Sequence, residues 1–203
     1  MKKLKTLLFI IAPFSLCAQI NKNQWLVGGS VIAQYQTNSE NDNSEKEIRL
    51  PLSVGYFVAN KLAVGIRGQY HFTSTYSAFT YSDFAGNIIY ASSIKQREEE
   101  FSVGPFIRYY ILPKAKPFNV YLEVGYAYGN NKLDIDFTQS NVSFVTKAST
   151  YNINIAPVFF INKHTSMEFI LAYYMQQPEG SSITYNNFLL GLGLQIHLGQ
   201  GKE

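Results

Sequence analysis

The chain is nearly devoid of cysteine. Its one thiol, Cys17, sits close to the start, so a disulfide framework is excluded, and so is thiol chemistry in the rest of the chain. Long hydrophobic runs are also missing. Beyond the N-terminus no stretch of about 18 apolar residues occurs, which rules out an ordinary transmembrane helix. Charge of one sign is absent as well. Lys2, Lys3 and Lys5 belong to the N-terminal segment, and the other 14 basic residues balance the 14 acidic ones. A nucleic-acid partner therefore has no electrostatic support. Tryptophan occurs once, but there are 15 Tyr and 15 Phe, and aromatic residues favour strands. A length of 203 residues suits one domain.

Residues 1–18 have the layout of a secretory signal peptide. A basic start (Lys2, Lys3, Lys5) precedes an apolar run from Leu7 to Phe14, and Leu16-Cys17-Ala18 offers a small residue before Gln19. Cleavage is expected between Ala18 and Gln19, leaving 19–203 as the mature domain. Acylation of Cys17 is the rival; Leu16 stands where a lipobox has a small residue.

The hairpin from Ile48 to Phe72 shows what the rest repeats. Ile48, Leu50, Leu52, Val54, Tyr56 and Val58 share one parity; Arg49, Pro51, Ser53, Gly55 and Phe57 share the other. After Ala59-Asn60-Lys61, Leu62 to Phe72 alternates in the same way. Side chains in a strand alternate faces, so each strand has an apolar face and a small or polar one. Further strands are expected at Trp25–Gln36, Lys95–Ile111, Asn119–Asn131, Lys147–Ile161, Thr165–Gln176 and Ile183–Leu198, eight in all.

The connections alternate in length. Ala59–Lys61, Leu112–Phe118 and Asn162–His164 are short. Thr37–Glu45, Ser74–Ile94 and Lys132–Thr146 are longer and polar. Short turns at one end and long loops at the other mark outer-membrane barrels. Each strand meets the roughly 9–11 residues needed to cross a bilayer, and closure leaves no backbone edge in lipid. A soluble β-sandwich also alternates, but the face rich in Gly, Ala and Ser, with scattered Arg and Glu, resembles a narrow lumen more than a solvated surface. The fold class is all-β: an eight-stranded antiparallel up-and-down transmembrane β-barrel. Pro51, Pro105 and Pro157 fall inside strands, where bulges are expected.

Gly55-Tyr56-Phe57-Val58-Ala59-Asn60-Lys61-Leu62-Ala63-Val64-Gly65 and Val103-Gly104-Pro105-Phe106-Ile107-Arg108-Tyr109-Tyr110 resemble the small outer-membrane β-barrel family of Bacteroidota, whose architecture is similar to the OmpA transmembrane domain. The resemblance spans Gln19 to Leu198 and implies a porin-like barrel in the cell outer membrane, with N- and C-termini periplasmic and long loops extracellular. The chain ends soon after the last strand, so a peptidoglycan-binding domain of the OmpA type is not expected. Gly191 to Leu198 resembles the C-terminal signal read by the barrel-assembly machinery. That machinery, outer-membrane lipids and lipopolysaccharide are the expected partners, with the chain a monomer.

Candidate chemistry concentrates in the lumen. Arg49, Arg67, His71, Arg108, Glu123 and Glu168 share the inner parity, with Gln69, Gln195 and His197 nearby. Small barrels fill with side chains, and buried charges must pair. An Arg–Glu network plugging the lumen is expected, with Arg49, Arg67 and His71 meeting Glu123 or Glu168. His164, Ser166 and Glu168 share one face, as in lipid A deacylases, but their place beside a short turn and their inward parity argue against catalysis. Asp134 and Asp136 form a weak cation pair, and Glu98-Glu99-Glu100 reads as a solvated strand end near lipopolysaccharide headgroups. Tyr35, Tyr70, Phe72, Tyr126, Tyr128, Tyr173 and Phe188 are candidates for an interfacial girdle. No catalytic residue, metal site or cofactor is assigned. The favoured role is structural or surface-interacting; a narrow porin or small-solute transporter is the alternative, and a lipid-modifying enzyme ranks below both.

Overall fold

The computed structural model describes residues 20–38, 43–82, 88–113, 117–137 and 141–199. The expected leader with Cys17, residues 85–87 of the expected Ser74–Ile94 connection and the side chain of Tyr35 lie outside them. Eight antiparallel strands close into a barrel in sequence order. They are β1 (Trp25–Asn38), β2 (Asn43–Ala59), β3 (Leu62–Ser82), β4 (Ile88–Tyr110), β5 (Phe118–Asp136), β6 (Asn141–Phe160), β7 (Thr165–Pro178) and β8 (Tyr185–Leu198).

Alternation sets the two faces as expected. In β2 the burial strictly alternates from Ile48 to Gly55, with Leu52 at 68% exposure beside buried Ser53. Outward aromatic side chains pair across strands: Trp25 with Tyr56, Phe118 with Phe159, Tyr126 with Tyr151, and Tyr173 with Phe188, at 4.8–5.2 Å between ring centroids. Such contacts are the unit of sheet stabilisation.

At the turn end the chain reverses through Asn60-Lys61, with Lys61 at φ 69°. Residues 20–24 fold across this end. Lys61 N donates to Ile20 O, Asn23 N to Phe57 O and Phe57 N to Gln24 O. Ile20 and Gln24 are fully buried, so this segment caps the barrel ahead of β1.

The loop end differs from expectation. The stretch Ser74–Ile94 is not a loop: β3 and β4 stay paired out to Ser82↔Ile88. Lys132–Thr146 is also largely strand, with pairs out to Asp136↔Asn141, and β1–β2 extends to Asn38↔Asn43. Thr and Tyr favour strands, and once a hairpin is aligned each added pair costs little chain entropy. Beyond Tyr76, β3 pairs only with β4. The two strands form an arm of roughly 20 Å at about 3.3 Å per residue.

The prolines do not create bulges. Register shifts occur instead at Phe57/Ala59 and Tyr81/Ser82. Each proline keeps register on one side and leaves a gap on the other. Pro51 pairs with Gln69, but the β1–β2 ladder skips from Gly29↔Leu52 to Ile32↔Arg49. Pro105 pairs with Ile66 while β4–β5 skips from Val103↔Tyr128 to Phe106↔Gly125. Pro157 pairs with Val120 while β6–β7 skips from Ile155↔Leu171 to Val158↔Glu168. A missing N–H removes a ladder donor; here two ladder pairs are lost on one side of each proline, and the register resumes without an extra residue.

Candidate functional site

The inward faces of β3, β4 and β5 bring three charges together. Register places Arg108 directly opposite Glu123. Arg108 Nε and Nη2 donate to Glu123 Oε2 at 2.9 and 2.8 Å. Arg67 reaches the same carboxylate from β3, Nη1 to Oε1 at 2.6 Å and Nη2 to Oε2 at 2.8 Å. Asn154 Nδ2 donates to Oε1 at 2.7 Å. Glu123 is fully buried and Arg108 is 1% exposed, so neither charge could persist without this pairing.

A second carboxylate extends the network. Arg108 Nη1 lies 3.7 Å from Glu168 Oε2, and Gln195 Nε2 donates to the same oxygen. Tyr110 Oη donates to Gln195 Oε1 at 3.0 Å. The Arg108 guanidinium also stacks 3.9 Å from the centre of the Tyr121 ring. At this level the remaining cavity is about 10 Å³, lined among others by Arg67, Arg108, Tyr121, Asn154 and Glu168. That is about one probe sphere, the minimum for a single water.

Arg49 and His71 do not join this network. They lie nearer the loop end and meet other acids. Arg49 Nε pairs with Glu47. His71 Nε2 lies 3.2 Å from Glu47, and His71 Nδ1 lies 3.5 Å from Glu100. Gln176 Nε2 donates to Glu100 at 3.1 Å. Glu47 was not singled out in the sequence, and Glu100 was expected in a solvated strand end. Glu100 is 2% exposed rather than solvated; it shares parity with Ser102, Phe106 and Arg108, and that parity was the available signal. Only Arg67, of the three cations expected to meet Glu123 or Glu168, does so. Above the outer cluster the barrel opens into a cup of about 570 Å³, lined by Glu47, Arg49, His71, Glu98 and Asn131 among others.

The His164–Ser166–Glu168 arrangement does not assemble. Ser166 Oγ lies 3.3 Å from His197 Nε2, whereas His164 Nδ1 faces the His197 carbonyl at 3.1 Å. Ser166 and His197 are both fully buried, with His197 5.9 Å from the Phe57 ring and 5.3 Å from the Phe160 ring. That pair packs the turn end. Asp134 accepts from Lys132 Nζ at 2.7 Å, and Asp136 lies 4.0 Å from Arg97. The hydrogen bond from Lys132 holds the Asp134 carboxyl below the usual carboxylate range.

A family model described as outer membrane protein beta-barrel domain matches residues 6–201. The chain belongs to that family. It is an outer-membrane β-barrel protein, and its outward apolar band is its lipid-facing surface. No curated protein matches the chain. Among solved structures, the N-terminal β-barrel domain of Pseudomonas aeruginosa OprF is 12% identical with a TM-score of 0.45, over 87% of this chain and 98% of that one. Neisserial surface protein A is 14% identical with a TM-score of 0.43, over 85% and 96%. A major outer membrane protein from Thermus thermophilus is 10% identical with a TM-score of 0.48, over 88% and 100%.

Proposed function

We propose that this outer-membrane barrel has a structural and surface-presenting role rather than a conducting or catalytic one. The carrying observation is the Glu123 carboxylate clamped by Arg67 and Arg108 beside a residual cavity of about 10 Å³. A lumen that admits at most one water at this level has no continuous water file through which an ion could pass. In planar bilayers the folded protein should give no steady conductance steps. Regular steps would favour the narrow-porin alternative.

In this reading the N- and C-termini and the tight turns face the periplasm, while the long hairpins face outside. The β3–β4 arm is then the foremost contact surface, as befits a connecting segment carried by a rigid scaffold. Lipids and lipopolysaccharide surround a monomer, delivered by the barrel-assembly machinery after residues 1–18 are removed. An epitope inserted within 83–87 should be stained on intact cells. One inserted at Asn60-Lys61 should be stained only after permeabilisation. The converse pattern would reverse the orientation.

A further inference from the structure

The seam that closes the barrel is zipped along only half its length. β1 and β8 pair from Trp25↔Leu198 to Val31↔Leu192 and then stop. Neither strand ends there. In the same register Ile32 would face Gly191 and Asn38 would face Tyr185, the last described residues of the two strands. β1 stays paired to β2 out to Asn38, and β8 to β7 out to Tyr185. The wall therefore forks while each prong remains held on its far side.

The fork begins six residues beyond Trp25. At a strand tilt near 40° this is about 15 Å along the barrel axis, near the middle of an apolar band about 25 Å tall. The opening thus faces the leaflet nearer the loop end. An outer groove of about 740 Å³ lies on it, bounded by Val31 and Ala33 on one prong and Leu190 to Leu192 on the other. It continues past Phe169 and Leu171 to Pro157, where the β6–β7 ladder is also interrupted. The lining is apolar throughout. Its floor includes Ile170 and Gly191, which belong to the inner face, so the groove penetrates the wall. Ile32, 3% exposed, packs so closely over Gly191 that a Cβ there would lie 2.6 Å from its Cγ1. The side chain of Ile32 closes the inner side of the fork.

We propose that this fork is a lateral binding site for an acyl chain of a lipid in that leaflet, which is the outer leaflet under the orientation proposed above. The groove is continuous with the lipid-facing surface of the barrel. Its lining offers carbon but no side-chain donor or acceptor, which suits a hydrocarbon chain. A second copy of the chain would instead need to pair with the prong edges.

The test uses the folded protein in nanodiscs made with a phosphatidylcholine bearing a diazirine midway along one acyl chain. After irradiation, adducts mapped by mass spectrometry should be several-fold denser on Phe169, Leu190 and Leu192 than on Ile66 and Val103 of the opposite wall. Ala33→Trp, which fills the groove from its lipid side, should bring that density down to the level of Ile66. Val103→Trp should leave it unchanged. Heat-modifiable migration reports that both variants fold. Even labelling around the belt, or enrichment that survives Ala33→Trp, would overturn the proposal. A cross-linked dimer joined through β8 would overturn it in favour of a second copy. The epitope experiment reports separately on orientation.

Discussion

Arg108 and Glu123 are direct cross-strand partners, and their side chains close the same pair with contacts of 2.8 and 2.9 Å. Backbone register and charge pairing therefore specify each other: sliding β5 by one residue would turn Glu123 out to lipid.

Removing that carboxylate should be costly. Glu123→Ala leaves the Arg67 and Arg108 guanidinium groups buried without their shared anion. Breaking a buried pair on one side costs about 3–5 kcal/mol. Urea titration of the folded protein in detergent should show the midpoint falling accordingly. Arg67→Met and Arg108→Met combined with Glu123→Leu should recover a large part of the loss, because no buried guanidinium is then left without that anion.

The two faces of β3 should respond oppositely to substitution. Ile66 is 62% exposed on the lipid-facing side, whereas Gln69 is 5% exposed on the inside. Ile66→Arg sets a cation near the bilayer midplane at a cost of about 2–4 kcal/mol and should reduce the assembled fraction on heat-modifiability gels. Gln69→Ala should assemble normally.

Glycines separate in the same way by what surrounds them. A Cβ at Gly104 would lie 1.9 Å from the Tyr126 carbonyl oxygen, because β4 and β5 approach closely beside the Pro105 gap. Gly104→Val should lower the melting temperature or block closure, since overpacking costs about 1–3 kcal/mol. At Gly68 nothing lies within 4 Å. Gly68→Ala should be neutral or stabilising by about 0.5–1 kcal/mol, because alanine loses less backbone entropy in a strand.

The β3–β4 arm beyond Tyr76 should be dispensable for folding. Among the described residues its strands make ladder pairs there only with each other, and one bond, from Ala78 N to Asn43 Oδ1, ties it to β2. Replacing 77–94 with a tight turn should leave heat-modifiable migration intact while abolishing any surface contact the arm makes. A barrel that no longer forms would mean that the arm nucleates assembly.

Much of this fold could be read from residue parity. Ile48 to Phe72 carried both faces, and the same alternation located all eight strands. Loop-end boundaries were not legible, because alternation fades where both faces of a hairpin meet water; the Ser-, Thr- and Tyr-rich Ser74–Ile94 stretch looked like a loop by composition. The inner acids divided similarly. Glu123 and Glu168 stood out among small residues, but Glu100 was hidden by its neighbours Glu98 and Glu99. Partner choice was beyond sequence reasoning, since it depends on stagger around the barrel: Arg49 meets Glu47 two residues away, not a distant carboxylate. The cap over the turn end was missed because Ile20 and Gln24 precede any alternating pattern.

The ladder gaps beside Pro51, Pro105 and Pro157 also say how the wall should come apart. β2–β3–β4, β5–β6 and β7–β8 keep continuous ladders apart from the two register shifts, while the ladders between these groups, and those on either side of β1, are interrupted or half-zipped. Under mechanical load the barrel should behave as three panels and one loose stave. Pulled from the N-terminus, β1 should peel away alone at low force, and the remainder should yield in multi-strand steps whose boundaries fall at the prolines.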